Sequence, residues 1–144
     1  MNTSSLKHLL DACFTAKHII ETMPELPKGM KPRHIHVLEQ INQVCREQEE
    51  CRVSDVSARM NITMPSITKL IQELEGMGML VKNGDIGDKR VSLLKLTEKG
   101  RVHVKRYVED FHRDWVKNLE DITDGQVQEA IQVIERLQDA MPGR

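Results

Sequence analysis

The stretch that most constrains this chain runs from Val53 to Thr97, VSDVSARMNITMPSITKLIQELEGMGMLVKNGDIGDKRVSLLKLT. Ser54 is an N-cap type of residue and Asp55 suits a first helical turn, so SDVSARM predicts a short helix burying Val56 and Met60. Asn61-Ile62-Thr63 predicts a tight turn, and Thr63 can cap a second helix with Pro65 in its first turn. In that second helix, Met64–Gly76, the residues Ile67, Leu70, Ile71 and Leu74 fall at i, i+3, i+4 and i+7. One face is therefore apolar. The opposite face carries Pro65, Lys69 and Gln72, flanked by Ser66 and Thr68. Gly76 and Gly78 stop the helix. Met79–Lys82 and Arg90–Leu96 then read as two strands around the tip NGDIGDK, whose glycines and aspartates are hairpin-turn residues.

Two short helices joined by a tight turn, followed by a hairpin, give the element order of a winged helix-turn-helix. The flanks add more helix. Ser4 can cap a helix to about Thr22 with the stripe Leu6, Leu9, Leu10, Cys13 and Ile20. The linker MPELPKGMKP separates it from a helix led by Pro32 and lined by Ile35, Leu38, Ile41 and Cys45. Cys51-Arg52-Val53 is long enough only for a short strand. Thr97 opens what the stripe Val104, Val108, Phe111, Trp115, Leu119 and Ile122 predicts as the longest helix of the chain. Thr123 with Gln126 three residues on matches a capping box for a last helix, lined by Val127, Ala130, Ile131, Ile134, Leu137 and Met141. The expected fold is mainly α with a small β wing: a winged helix-turn-helix lobe over 32–106, flanked by helices in 1–31 and 107–144. The outer helices carry more apolar stripe than a small lobe can cover, so a partner surface is expected there.

Composition narrows the function classes. Aromatics are 3% and methionines number 8, which suits helix-on-helix packing of Leu, Ile, Val and Met. No apolar run approaches a membrane span and no signal-peptide core follows Met1, so a cytoplasmic protein is expected. Cys13, Cys45 and Cys51 are odd in number and irregular in spacing, as in reduced thiols. The net charge of −1 hides an asymmetry. Residues 52–106 hold 11 Lys and Arg against 6 Asp and Glu, and the rest hold 10 against 16. A basic middle between acidic ends is a local footprint for nucleic acid. No phosphate loop, nucleophile motif or paired carboxylate points to catalysis. His34 and His36 face different sides of a helix and no zinc spacing is present, so neither metal nor cofactor is expected.

At the hairpin, GDKRVSLLKLTEKG (Gly87–Gly100) resembles the wing-to-helix signature of the MarR family of bacterial and archaeal transcriptional regulators. That signature has an Asp-x-Arg pair at the wing, then Leu-Thr, then Gly three residues later; here these are Asp88, Arg90, Leu96, Thr97 and Gly100. The exit Leu74-Glu75-Gly76-Met77-Gly78-Met79-Leu80 is similar to the family's as well. Pro65 and the single positive charge of the second helix depart from the pattern. The resemblance implies a homodimer interlocked through its outer helices, most often a repressor. Its small-molecule inducer, phenolic or lipophilic, would sit between those helices and the lobe. Two-fold symmetry then implies a palindromic site in double-stranded DNA with half-sites about 10 bp apart or a multiple.

The candidate groove contacts are Lys69, for phosphate or a guanine edge, Gln72 for adenine edges, and the hydroxyls of Thr63, Ser66 and Thr68. Arg90 can insert into a narrow minor groove, with Asp88 holding the guanidinium in direction. Lys82, Lys89, Lys95 and Lys99 are candidate phosphate contacts. Cys13 invites a redox role, since LLDACFTA loosely resembles the neighbourhood of peroxide-sensing relatives. It also sits on the apolar stripe, where a cysteine packs as a small hydrophobe. Two alternatives to the DNA-binding regulator stand beside it: a winged-helix module for protein–protein assembly, and a thiol-based redox-sensing regulator.

Overall fold

The computed structural model describes residues 1–85 and 88–143, the side chains of residues 84–91 excepted. Helix α1 (Thr3–Thr22) leads through the proline-rich linker to α2 (Pro32–Gln48). A two-residue strand β1 (Cys51–Arg52) runs into α3 (Val53–Met60), and a turn leads to α4 (Met64–Gly76). The hairpin of β2 (Leu80–Asp85) and β3 (Asp88–Leu96) follows, then α5 (Glu98–Val104), a π-helical segment (Lys105–Asp110), α6 (Phe111–Val116) and α7 (Asp124–Asp139). The chain divides into two compact units, Met1–Phe111 and His112–Arg144.

In the first unit β3 is the middle strand of an antiparallel sheet, with β1 and β2 on its two sides. Cys51 lies opposite Leu94 on one side and Lys82 opposite Leu94 on the other. The core is aliphatic: Ile35, Leu38 and Ile41 of α2, Val56 of α3, Ile67, Ile71 and Leu74 of α4, then Leu80, Leu94, Leu96 and Val104. The stripes read from sequence in α2 and α4 are the faces that meet here. Each such side chain stabilises the fold by roughly 1.5–3 kcal/mol through loss of apolar surface from water. The terminal helices differ. No residue of α1 is buried, and Phe14 and Ile20 are 73% and 58% exposed. In the second unit no residue of α7 is buried either, and Ile131 and Ile134 are 43% and 53% exposed.

Several sequence expectations need correction. Asn2, not Ser4, caps α1: its Oδ1 accepts from the Ser5 amide at 2.8 Å. Ser54 is not the N-cap of α3. The helix begins at Val53, and the Asp55 carboxylate reaches back to the Arg52 amide at 2.8 Å. Asp55 thus serves from inside the first turn, the acidic half of a capping box. The hairpin strands run further toward the tip than 79–82 and 90–96, because Asn83 and Gly84 pair with Leu93 and Ser92. The helix from Thr97 is not the longest; α1 holds 20 residues. Regular helix stops at Val116, and the amides of Asn118, Leu119 and Ile122 then bond three residues back in successive turns. The last helix starts as expected, with Thr123 and Gln126 exchanging both capping bonds. Among the described residues no helix is long and apolar enough to cross a membrane.

Candidate nucleic-acid interface

The turn between α3 and α4 is held by local polar contacts. The Ser57 hydroxyl donates to the Ile62 carbonyl at 2.6 Å, and the Ile62 amide donates to the Ser57 carbonyl at 3.3 Å. Asn61 takes the left-handed conformation, φ 53 and ψ 42, which an asparagine tolerates better than most residues. Thr63 caps α4: its Oγ1 accepts from the Ser66 amide at 3.3 Å and donates to the Ser66 Oγ at 3.0 Å. The Thr63 proton is therefore engaged in the cap, while Ser66 keeps its own hydroxyl proton to give.

With Ile67, Leu70, Ile71 and Leu74 buried, α4 presents Pro65, Ser66, Thr68, Lys69 and Gln72 to solvent. Lys69 has no ion-pair partner among the described residues, so its ammonium is available to a phosphate or a base edge. The backbone of Asp88, Lys89 and Arg90 forms the start of β3. Their side chains, and with them the expected Asp88–Arg90 pair, lie outside the described residues.

The remaining lysines divide. Lys82 is half-buried, with its Nζ 3.9 Å from the Glu75 carboxylate of α4. Lys99 donates to the Met77 carbonyl at 2.9 Å. Lys95 is exposed and lines a surface cavity of about 360 Å³ with Asn42, Cys45, Glu49 and Asn83. Lys82 and Lys99 are thus tied to α4 and its exit, and Lys95 sits beside the end of α2.

Leu96, Thr97 and Gly100 have a physical reason that pattern reading missed. Thr97 caps α5 by accepting from the Gly100 amide at 3.1 Å, and its hydroxyl donates to the Gly78 carbonyl at 2.6 Å. The Thr97 amide donates to the Met79 carbonyl at 3.0 Å. A Cβ built on Gly100 would stand 2.1 Å from that same Met79 oxygen. Only glycine lets α5 pack this closely on the exit of α4, so the motif clamps the base of the wing to the helix it flanks. The visible signal is a threonine followed by glycine three residues later, after a strand.

Arg59, which sequence reasoning did not single out, cross-links α3 to α2. Its Nε donates to Gln40 at 2.9 Å and its terminal nitrogens to the two Glu47 oxygens at 2.8 and 3.3 Å. The Arg59 hydrogen bond and charge hold the Glu47 carboxyl below its ordinary range. Burial pushes the Cys51 thiol up to about 12, with Cys45 and Asp55 adding to the effect. Burial also raises the Cys45 thiol, against a smaller opposing pull from Lys95. Both are neutral thiols at pH 7 and poor nucleophiles. Cys13 is half-buried on α1. Among the described residues no group of His, Cys, Asp and Glu could hold a metal ion.

Residues 30–100 match the family described as "Winged helix DNA-binding domain". The fold as a whole is similar to PcaV, a transcriptional regulator of Streptomyces coelicolor solved with its natural ligand. There the identity is 21%, the TM-score 0.72, and the match covers 97% of this chain and 96% of that one. It is also similar to MepR of S. aureus solved with DNA, at 14% identity and TM-score 0.70, over 98% and 99% of the two chains. The chain carries a winged helix DNA-binding domain on the MarR fold. Its similarity to YdgJ of Bacillus subtilis (strain 168), an uncharacterized HTH-type transcriptional regulator, is 28% over 74 residues. That is 49% of this chain and 45% of YdgJ, so the match spans less than half of the curated relative. Helix α4 and the hairpin β2–β3 both fall within the matched residues 30–100, so the exposed face of α4 and the base of the hairpin belong to one matched winged helix domain.

Proposed function

We propose that this chain is a homodimeric, ligand-responsive transcriptional regulator, a repressor acting in the cytoplasm on a palindromic operator. The observation that carries the reading is the polar face of α4. It combines short hydroxylated side chains, a glutamine and a lysine unpaired among the described residues, on a helix backed by the core and flanked by the wing. Helices of this kind read base edges with their N-terminal turns. Gln72, Lys69, Ser66 and Thr68 supply base and phosphate contacts, and Thr63 keeps the first turn formed. Arg90, Lys89 and Asp88 serve at the wing, with Arg90 in the minor groove. Lys95 and Lys82 add phosphate affinity that falls with salt, Lys82 after release from Glu75.

The exposed stripes of α1 and α7 support a homodimer, because isolated faces of this apolar character seek a partner. A ligand site is supported by a second cavity of about 310 Å³ in the first unit. It is lined by Pro27, Met30, Met77, Met79, Lys99 and His103, apolar walls with a cationic rim that suit a lipophilic or phenolic acid.

The test is binding of the purified protein to genomic fragments, with bound sequences read out at several salt concentrations. A palindromic sequence bound with a steep salt dependence is expected. Arg90→Ala should weaken that binding about tenfold or more and leave the oligomeric state intact. A monomer without DNA affinity overturns the proposal, and an Arg90→Ala variant that binds normally removes the role of the wing arginine.

A further inference from the structure

His34 stands apart in the core. It is 1% exposed and is the buried polar side chain among the described residues. It lies at the head of α2, and its Nδ1 accepts from the Lys31 amide at 2.9 Å. An amide N–H can only donate, so Nδ1 is unprotonated and the neutral ring carries its proton on Nε2. That buried Nε2 has no hydrogen-bond partner among the described residues. A Glu73 carboxylate oxygen on α4 lies 3.5 Å from it, too far for the bond to be made. Glu73 is half-exposed, which leaves its side chain room to turn, and a turn that aligned an oxygen with the N–H would complete the bond.

The position of Glu73 gives this contact its meaning. It follows Gln72 directly and comes four residues, one helical turn, after Lys69. The α4 side chains buried in the core are aliphatic, Ile67, Leu70, Ile71 and Leu74, and its other polar ties, Lys82 to Glu75 and Lys99 to the Met77 carbonyl, lie at its C-terminal end. Dispersion and burial are not directional, so such a face resists separation more than it resists a small roll about the helix axis. A hydrogen bond is directional and resists the roll. Rolling α4 would re-aim Lys69 and Gln72 and carry Glu73 away from the buried N–H.

We propose that His34 is a positioning residue for DNA reading, which, through Glu73, sets the roll of α4 and so the aim of Lys69 and Gln72. The proposal rests on the DNA-binding function above. On a DNA surface, charge and positioning predict opposite signs. Removing the Glu73 carboxylate takes a negative charge away from the phosphates, which by charge alone tightens binding. Loss of the oxygen that His34 meets weakens sequence-specific binding.

The experiment uses a duplex that the wild-type protein selects from a random-sequence pool, and an unselected duplex of equal length. Glu73→Gln keeps an acceptor oxygen and should bind the selected duplex at least as tightly as wild type. Glu73→Ala should bind it about three- to tenfold more weakly, one directional hydrogen bond's worth. Both variants should bind the unselected duplex at least as tightly as wild type. Long-range ¹H–¹⁵N spectra of the His34 ring should show the proton on Nε2 and a shift in Glu73→Ala that Glu73→Gln lacks. If Glu73→Ala binds the selected duplex as tightly as Glu73→Gln, the positioning role is overturned while the DNA-binding function stands. A wild type that selects no sequence overturns both.

Discussion

Helices α4 and α7 carry the same kind of message in sequence, an apolar residue every three or four positions, and the fold treats the two messages differently. In α4 the stripe Ile67, Leu70, Ile71 and Leu74 is buried by its own chain. In α7 the stripe Val127, Ile131 and Ile134 is left open, and α1 does the same with Leu10, Phe14 and Ile20. Periodicity reports that a face wants to leave water; it does not report who covers it. The covered helix carries the surface on which DNA reading is proposed, and the uncovered helices are the surfaces on which assembly is proposed.

Leu74→Ala attacks the covered stripe. It should cost about 2–5 kcal/mol, as cavity-forming truncations in closed cores do, and the loss read by urea denaturation should not depend on protein concentration. Gly100→Ala should follow at about 2–3 kcal/mol, because the added methyl meets the Met79 carbonyl oxygen rather than a movable side chain. Its DNA affinity should fall with it, since the clamp at the base of the wing opens. On the uncovered side, Ile134→Ser with Phe14→Ser should leave a monomer's stability within about 0.5 kcal/mol. It should weaken self-association about tenfold or more in analytical ultracentrifugation. A wild type that is already monomeric would break the contrast.

The smallest effect expected is at Arg59–Glu47, on the lobe's surface. The folded state holds the Glu47 carboxyl below its ordinary value, so this pair's stabilisation is present above the unfolded-state value. It is lost as pH falls through the folded-state value. Glu47→Gln should therefore lower the denaturation midpoint slightly at pH 7 and make no difference in strong acid.

The sequence by itself determined a good deal here. Local chemistry located the turn at Asn61, the Thr63 cap, the glycine exit of α4 and the Thr123–Gln126 box, since each depends on residues within one helical turn of one another. The apolar periods of α2 and α4 named the core, and the match at Leu96, Thr97 and Gly100 named the fold. Choices among equally good local signals went elsewhere: Asn2 over Ser4, Asp55 from within the helix over Ser54, and an end of helix at Val116 rather than at Ile122.

Only the tertiary structure decided what long-range contact decides. It put Lys99 on the Met77 carbonyl and Lys82 beside Glu75, which no spacing along the chain announces. It showed that Gly100 is glycine because another segment's carbonyl occupies the space of a side chain. And it brought a buried histidine from the head of α2 to Glu73 of α4, 39 positions away in sequence. A pattern records what each residue prefers, whereas packing in three dimensions determines which other residue meets that preference.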